Sequence, residues 1–235
     1  MRPHDPVSVS LALLAGGCSG TVTYSPPQPV PRVSASVTIQ KPREQVWQAL
    51  IPQLARTFFV INNIDQTSGL INVSYSGDPE RFVDCGTITI TNPQGAKTYE
   101  FPAARAQQQY EVTNGLNVLR VTRTMSLEGR ANLVLEAVSL EVTRATVNIR
   151  YVLTKHLRGQ ATIGAAEEDT QSISFSSGET AAFPEASAGQ ATTCHSTGQL
   201  ERQLLDLLPS PAGGGSPPNT ERACAKTPLW QRWQR

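Results

Sequence analysis

"TRATVNIRYVLTKHL", residues 143–157, alternates apolar and polar side chains with few exceptions. Val147, Ile149, Tyr151 and Leu153 fall on one side of the run, and Asn148, Arg150 and Thr154 on the other. Successive side chains of a strand point to opposite faces. The run therefore predicts a strand of an antiparallel sheet, with one face buried and the other wet or lining a cavity.

Working outward, the flanking sequence reads the same way. "NVLRVTRTMSL" ends shortly before Gly129 and "ANLVLEAVSLEV" follows it, so two further strands are expected on either side of that glycine. Downstream, "GQATIG" and "QSISFSSG" are shorter candidates separated by the acidic "AAEED". Upstream, "GTITITN" is a strand that ends at Asn92-Pro93-Gln94-Gly95. Phe59 and Ile61, then Leu70, Ile71, Val73 and Tyr75, flank a polar link containing Asp65, Ser68 and Gly69, the pattern of a β-hairpin.

Helical spacing occurs twice. "VSASVTI", residues 33–39, alternates as a first strand, and "KPREQVWQALIPQLARTF" follows it with Val46, Leu50, Leu54 and Phe58 at every fourth position. Pro42 suits the first turn of that helix, whereas Pro52 removes a backbone bond and predicts a kink or break near residues 48–51. "HSTGQLERQLLDLLPSP" carries a stripe of Leu200, Leu204, Leu207 and Leu208, with Ser196 and Gln199 at capping-box spacing, Thr197 as a competing cap, and Pro209 as a stop. Strands bracketed by a helix near each end predict an α+β domain, an antiparallel sheet with an N-terminal and a C-terminal helix packed on one face.

"VTIQKPREQVWQALIPQL" followed by "FFVINNIDQTSGLINVSYS" resembles the opening of helix-grip domains, in which a V-W-x-x-L helix leads into a hairpin turning through an Asp…Ser-Gly link. Among exported lipoproteins it resembles the BamC-type component of the outer-membrane β-barrel assembly machinery. The resemblance covers residues 33–75 and the final helix. It implies a helix-grip fold and a periplasmic, protein-binding role, and it transfers no individual site residue. The β-rich middle, Pro52 and the cysteines depart from that family.

The N-terminus reads "MRPHDPVSVSLALLAGGCSG". Arg2, a short apolar run over residues 7–14, and the small residues of Leu14-Ala15-Gly16-Gly17 before Cys18 resemble a bacterial lipobox. That resemblance implies residues 1–17 as a lipoprotein signal peptide, Cys18 as the lipidated residue, and residues 18–32 as a Pro-rich tether. Ser19 in the next position implies sorting to the outer membrane, facing the periplasm. Residues 33–208 then form the folded domain, and residues 209–235, with "PSPAGGGSPPNT" and "PLWQRWQR", a flexible tail.

An exported chain meets oxidising conditions, which favour disulfides. Setting Cys18 aside leaves Cys85, Cys194 and Cys224, whose three single pairings sequence does not separate. Cys85 and Cys194 both sit at edges of regular structure, and the expectation falls on that pair, with Cys224 free or paired between chains. A reactive Cys194 with His195 as its base is the rival reading, weakened because neighbours on a strand point to opposite faces.

Other chemistry finds little support. There is no nucleophile elbow, phosphate loop or dinucleotide fingerprint. His156 and His195 stand without a Cys-x-x-Cys, so no metal or other cofactor is expected. Asp78/Glu80 and Glu167/Glu168/Asp169 read as solvated loop charge. A formal net charge of +1, scattered along 235 residues, gives no footprint for nucleic acid. Trp47, Phe58, Phe59 and Tyr75 are either the core or the lining of a hollow between sheet and helix. The leading expectation is thus a non-enzymatic envelope lipoprotein, an accessory or assembly component working through protein–protein contacts. The alternative is a helix-grip carrier or sensor of a lipid-like small molecule, followed by a thiol-dependent enzyme.

Overall fold

The computed structural model describes residues 19–28, 35–93, 97–114, 117–162, 164–184 and 191–209. In chain order the elements are β1 (Thr21–Ser25), β2 (Ser36–Ile39), α1 (Arg43–Leu54), β3 (Val60–Asp65), β4 (Leu70–Gly77), β5 (Val83–Asp84), β6 (Thr87–Thr91) and β7 (Thr98–Pro102). There follow β8 (Gln107–Asn114), β9 (Asn117–Ser139), β10 (Val142–Ala161), β11 (Ala166–Ser176), β12 (Thr180–Phe183), β13 (Thr192–Ser196) and α2 (Gln199–Leu205).

One hairpin organises everything else. β9 is 23 residues long and β10 is 20, and they pair antiparallel from Ala137↔Thr143 to Leu119↔Ala161. Each outer edge of this ribbon carries two shorter strands end to end. β8 and β4 pair successive halves of β9, and β2 and β11 pair successive parts of β10. β3 closes the sheet beyond β4. Two three-stranded sheets complete the described chain, in the orders β1-β6-β7 and β12-β13-β5.

The expectation of an α+β, helix-grip domain is therefore corrected: this is a predominantly β protein with several antiparallel sheets. Among the described residues its two α-helices have only 12 and 7 residues, and they patch one face of a much larger sheet system rather than forming a layer. The misreading has a physical source at Gly129. Glycine weakens a strand and reads as a boundary, yet β9 runs straight through it. A Cβ there would sit 3.1 Å from Leu200 Cδ2 and 3.8 Å from Tyr75 Cβ, so the glycine admits α2 close to the sheet. The first half of "GQATIG", Gly159 to Ala161, likewise belongs to the end of β10, and the acidic "AEED" lies within β11. Part of the Pro-rich segment is also strand, since residues of β1 pair with β6 from Thr21↔Thr91 to Ser25↔Thr87.

Alternation on the long hairpin is as regular as the sequence promises. Leu127, Ala131, Leu133 and Leu135 of β9 face inward with Ala145, Val147, Ile149, Tyr151 and Leu153 of β10, all buried. They meet Val46, Trp47, Leu50 and Leu54 of α1, and Leu200 and Leu204 of α2, in one core. Burying each large apolar side chain stabilises by about 2 kcal/mol relative to exposure.

Both helices depart from their expected ends. α1 does not break at Pro52, because only one turn remains and the Ala55 N–H still reaches Ile51 O at 3.0 Å. Pro52 and Gln48 lie on the exposed side, where the carbonyl that Pro52 cannot serve faces water. The capping box at the start of α2 is not formed either. Ser196 ends β13, Gly198 turns left-handed at φ 72°, and the Thr197 hydroxyl accepts the Gln199 N–H at 3.4 Å.

Candidate functional site

Cys85 and Cys194 are joined by a disulfide across 109 residues of sequence, both fully buried. The backbone brings them together: β5 pairs β13 through His195↔Asp84 and Ser196↔Val83. Thr197 N–H extends the register by donating to Phe82 O at 2.9 Å. Gly86 follows at φ +75°, its N–H donating to Asp84 Oδ1 at 2.8 Å. A Cβ at Gly86 would fall 2.1 Å from Ser25 O, so the turn after Cys85 admits only glycine. With both sulfurs bonded, neither is a free thiol for His195 to activate. Cys18 and Cys224 lie outside the described residues.

Of the four aromatic candidates, Trp47 and Phe59 are each 7 % exposed inside the core. Phe58 is 54 % exposed and packs edge-on against Tyr75, with ring centroids 5.3 Å apart. Tyr75 is half-buried, and burial raises its hydroxyl pKa. The two carboxylate groups also resolve. Asp78 Oδ1 accepts the Glu80 N–H at 3.0 Å, and Glu80 pairs with Arg105 at 3.5 Å. Glu168 pairs with Arg158 at 3.5 Å, while Asp169 accepts from Gln171 at 2.8 Å. Among the described residues no group of three or more His, Cys, Asp or Glu converges to hold a metal ion.

Three arrangements escaped the sequence. The first is a buried carboxylate. Glu201, on the leucine-striped helix, is 2 % exposed and accepts from the Tyr151 hydroxyl and from Ser177 Oγ, both at 2.7 Å. Burial, reinforced by the adjacent carboxylate, pushes the Tyr151 pKa well above the usual phenol range. The second is a buried cation. Arg123 alternates in step with Val121 and Met125 and so faces inward, where its Nη2 donates to Ala103 O. Burial pulls its pKa down to about 10, which leaves it charged at neutral pH, and Nη1 finds no partner among the described residues.

The third is a polar groove on the outer face of the main sheet. Asn72, Asn132 and Asn148 stand in one cross-strand row, Asn72↔Asn132↔Asn148. A β-bulge between Ile61 and Asn63 of β3 brings Asn62 alongside. Asn62 Nδ2 donates to Asn72 Oδ1 at 2.9 Å, and Asn72 Nδ2 donates to Asn132 Oδ1 at 2.6 Å. Ser74 Oγ donates to Asn62 Oδ1 at 3.3 Å. Asn62, Asn72 and Ser74 of this ladder, together with Val60, Tyr75, Ser76, Glu128 and Arg130, line a depression of about 440 Å³, and the row continues beside it to Asn132 and Asn148. The asparagines lie far apart in sequence, and only the strand register aligns them. No signal short of that register would have found the groove.

The chain matches no family model, no curated protein and no solved structure.

Proposed function

We propose that the chain is a non-enzymatic lipoprotein of the cell envelope, anchored to the outer membrane through Cys18 and facing the periplasm. It acts as an accessory component by contact with other envelope proteins. The observation that carries this reading is the buried Cys85–Cys194 disulfide. A crosslink sealed inside the core supports folding in an oxidising compartment, since cytosolic thiols are held reduced. The residues before Cys18 supply the export and acylation signal that such a location needs. Contact function accords with surfaces the fold leaves open. The outer edge of β3 has no strand partner among the described residues, and Phe58, Val60 and Ile64 there are 54 %, 61 % and 40 % exposed. An unpaired edge offers backbone groups to an added strand. No observation favours the lipid-carrier reading, because Trp47 and Phe59, which would line its hollow, are core.

Fractionation of a Gram-negative host tests the proposal. The parent chain should sediment with outer membranes, and Cys18→Ser should leave it uncleaved or in the soluble fraction. A Cys18→Ser chain that partitions and migrates like the parent removes the anchor from the account.

A further inference from the structure

From the outer-face groove we infer a binding site for an acidic saccharide, a sugar unit carrying a carboxylate. The inference rests on the groove alone and does not depend on the membrane anchor.

The row of carboxamides is pre-ordered inside the groove and has free hydrogen-bonding ends just beside it. Asn62, Asn72 and Asn132 are held by hydrogen bonds of 2.9 and 2.6 Å, which restrains their carboxamides along the row. Asn132 and Asn148 continue the row beside the depression, and Asn132 Nδ2 and both ends of Asn148 have no hydrogen-bond partner among the described residues. Each free carboxamide edge can serve a hydroxyl as donor and acceptor together. Sugar hydroxyls are both, and vicinal pairs of them match the spacing of planar side chains.

Charge narrows the ligand. Glu128 and Arg130 both line the groove, and neither makes an ion pair within 4 Å among the described residues. Arg130 stands directly opposite Arg150 in the register, on the same outer face. Like charges placed opposite one another destabilise a sheet. Arg150 is occupied by a 3.0 Å hydrogen bond to Ser174 Oγ, which leaves Arg130 as the free guanidinium. A carboxylate offers Arg130 a bidentate, charge-assisted partner, and it relieves the repulsion. Glu128 accepts from ring hydroxyls beside it. The depression, about 440 Å³, falls in the size range of small-ligand sites, roughly 300–1,000 Å³. The bulge in β3, a device that redirects side chains beside functional sites, falls at Asn62 in its lining. Val60, 61 % exposed, offers an apolar wall to the carbon face of a sugar ring.

The test compares two disaccharides with the same ring skeleton. One is N-acetylglucosaminyl-N-acetylmuramic acid, which bears a lactyl carboxylate, and the other is neutral di-N-acetylchitobiose. Each is titrated into the full, uniformly ¹⁵N-labelled chain, and backbone amide shifts are followed. The acidic sugar should perturb amides of residues 60–62, 72–76 and 128–132, and bind at least about tenfold more tightly than the neutral one, the loss expected when one charge-assisted bond is removed. Arg130→Ala and Glu128→Gln, both at exposed positions, should each weaken it by about tenfold, and Asn72→Ala should do the same if it folds. Thr154→Ala, on the same face outside the groove, should leave binding unchanged. Equal affinity for the two sugars, shifts confined to other surfaces, or Arg130→Ala binding like the parent would each overturn the inference.

Discussion

The Tyr151 hydroxyl donates to Glu201 at 2.7 Å, joining the middle of the long hairpin to the C-terminal helix through a bond with almost no exposure to solvent. α2 has only 7 residues and would not be stable by itself. It stays on the sheet because Leu200 fits over Gly129 and because Glu201 finds two hydroxyls, those of Tyr151 and Ser177. The polar contact fixes where the apolar contact sits.

Removing the carboxylate should therefore cost more than a surface change would. Glu201→Ala takes the carboxylate from the fully buried Tyr151 hydroxyl and from the part-buried Ser177 hydroxyl, and we expect a loss of about 3 kcal/mol, read as a lower denaturant midpoint with an unchanged slope. A shift below about 0.5 kcal/mol, the range of neutral surface changes, would mean the contact holds nothing.

The same pair has an alkaline signature. Folding raises the Tyr151 pKa above its unfolded value of 10.0, so its contribution is fully present below pH 10 and is lost as pH climbs beyond it. Burial raises Tyr24, Tyr75 and Tyr110 as well, so they share this alkaline limb. Tyr151→Phe should visibly flatten the fall in melting temperature between about pH 10 and 12. An identical slope in parent and variant would contradict the assignment.

At the acid end, Asp65 organises the β3–β4 turn. Its carboxylate accepts from Ser68 Oγ at 2.7 Å and from the Thr67 N–H at 2.9 Å, and these bonds, that of the Ser68 hydroxyl foremost, hold its pKa below the ordinary 3.8. The group's contribution is present above the unfolded pKa and disappears as pH falls through the lower, folded one. NMR titration of the carboxyl should give a midpoint below 3.8, moving up in Ser68→Ala. A midpoint that Ser68→Ala leaves in place would break the link.

Two glycines separate steric from conformational cost. Gly69 and Gly178 have similar left-handed backbones, at φ 73° and 79°. A Cβ at Gly69 would lie 2.3 Å from Leu135 O, whereas one at Gly178 meets nothing within 4 Å. Gly178→Ala should cost about 1 kcal/mol, the left-handed penalty alone. Gly69→Ala should cost about 3 kcal/mol, since backbone must also move. Equal losses in calorimetry would show that the β3–β4 turn is not clamped to β9.

What the sequence disclosed was local. The Asp65…Gly69 turn and the alternation of residues 143–157 were readable because turn chemistry and a period of two are properties of neighbouring residues. Cys85 and Cys194 were the expected pair because both sit at edges of regular structure, although the sequence left three pairings open. The long hairpin was not readable, because Gly129 resembles a break until Leu200 is seen above it. Glu201 and Arg123 carried no signal in the sequence either, since their hydroxyl and carbonyl partners come from distant segments. The asparagine row needed the register of four strands, and register is a tertiary fact.

The central claim is that this β protein matures outside the cytoplasm, with its crosslink formed and its N-terminus acylated. Intact-mass spectrometry of the chain from membranes of a Gram-negative host tests it most directly. The account predicts a polypeptide that begins at Cys18, carries acyl chains there, and keeps Cys85 and Cys194 inaccessible to alkylation until reduced. A full-length chain starting at Met1, with both of those sulfurs alkylated without reductant, would contradict it.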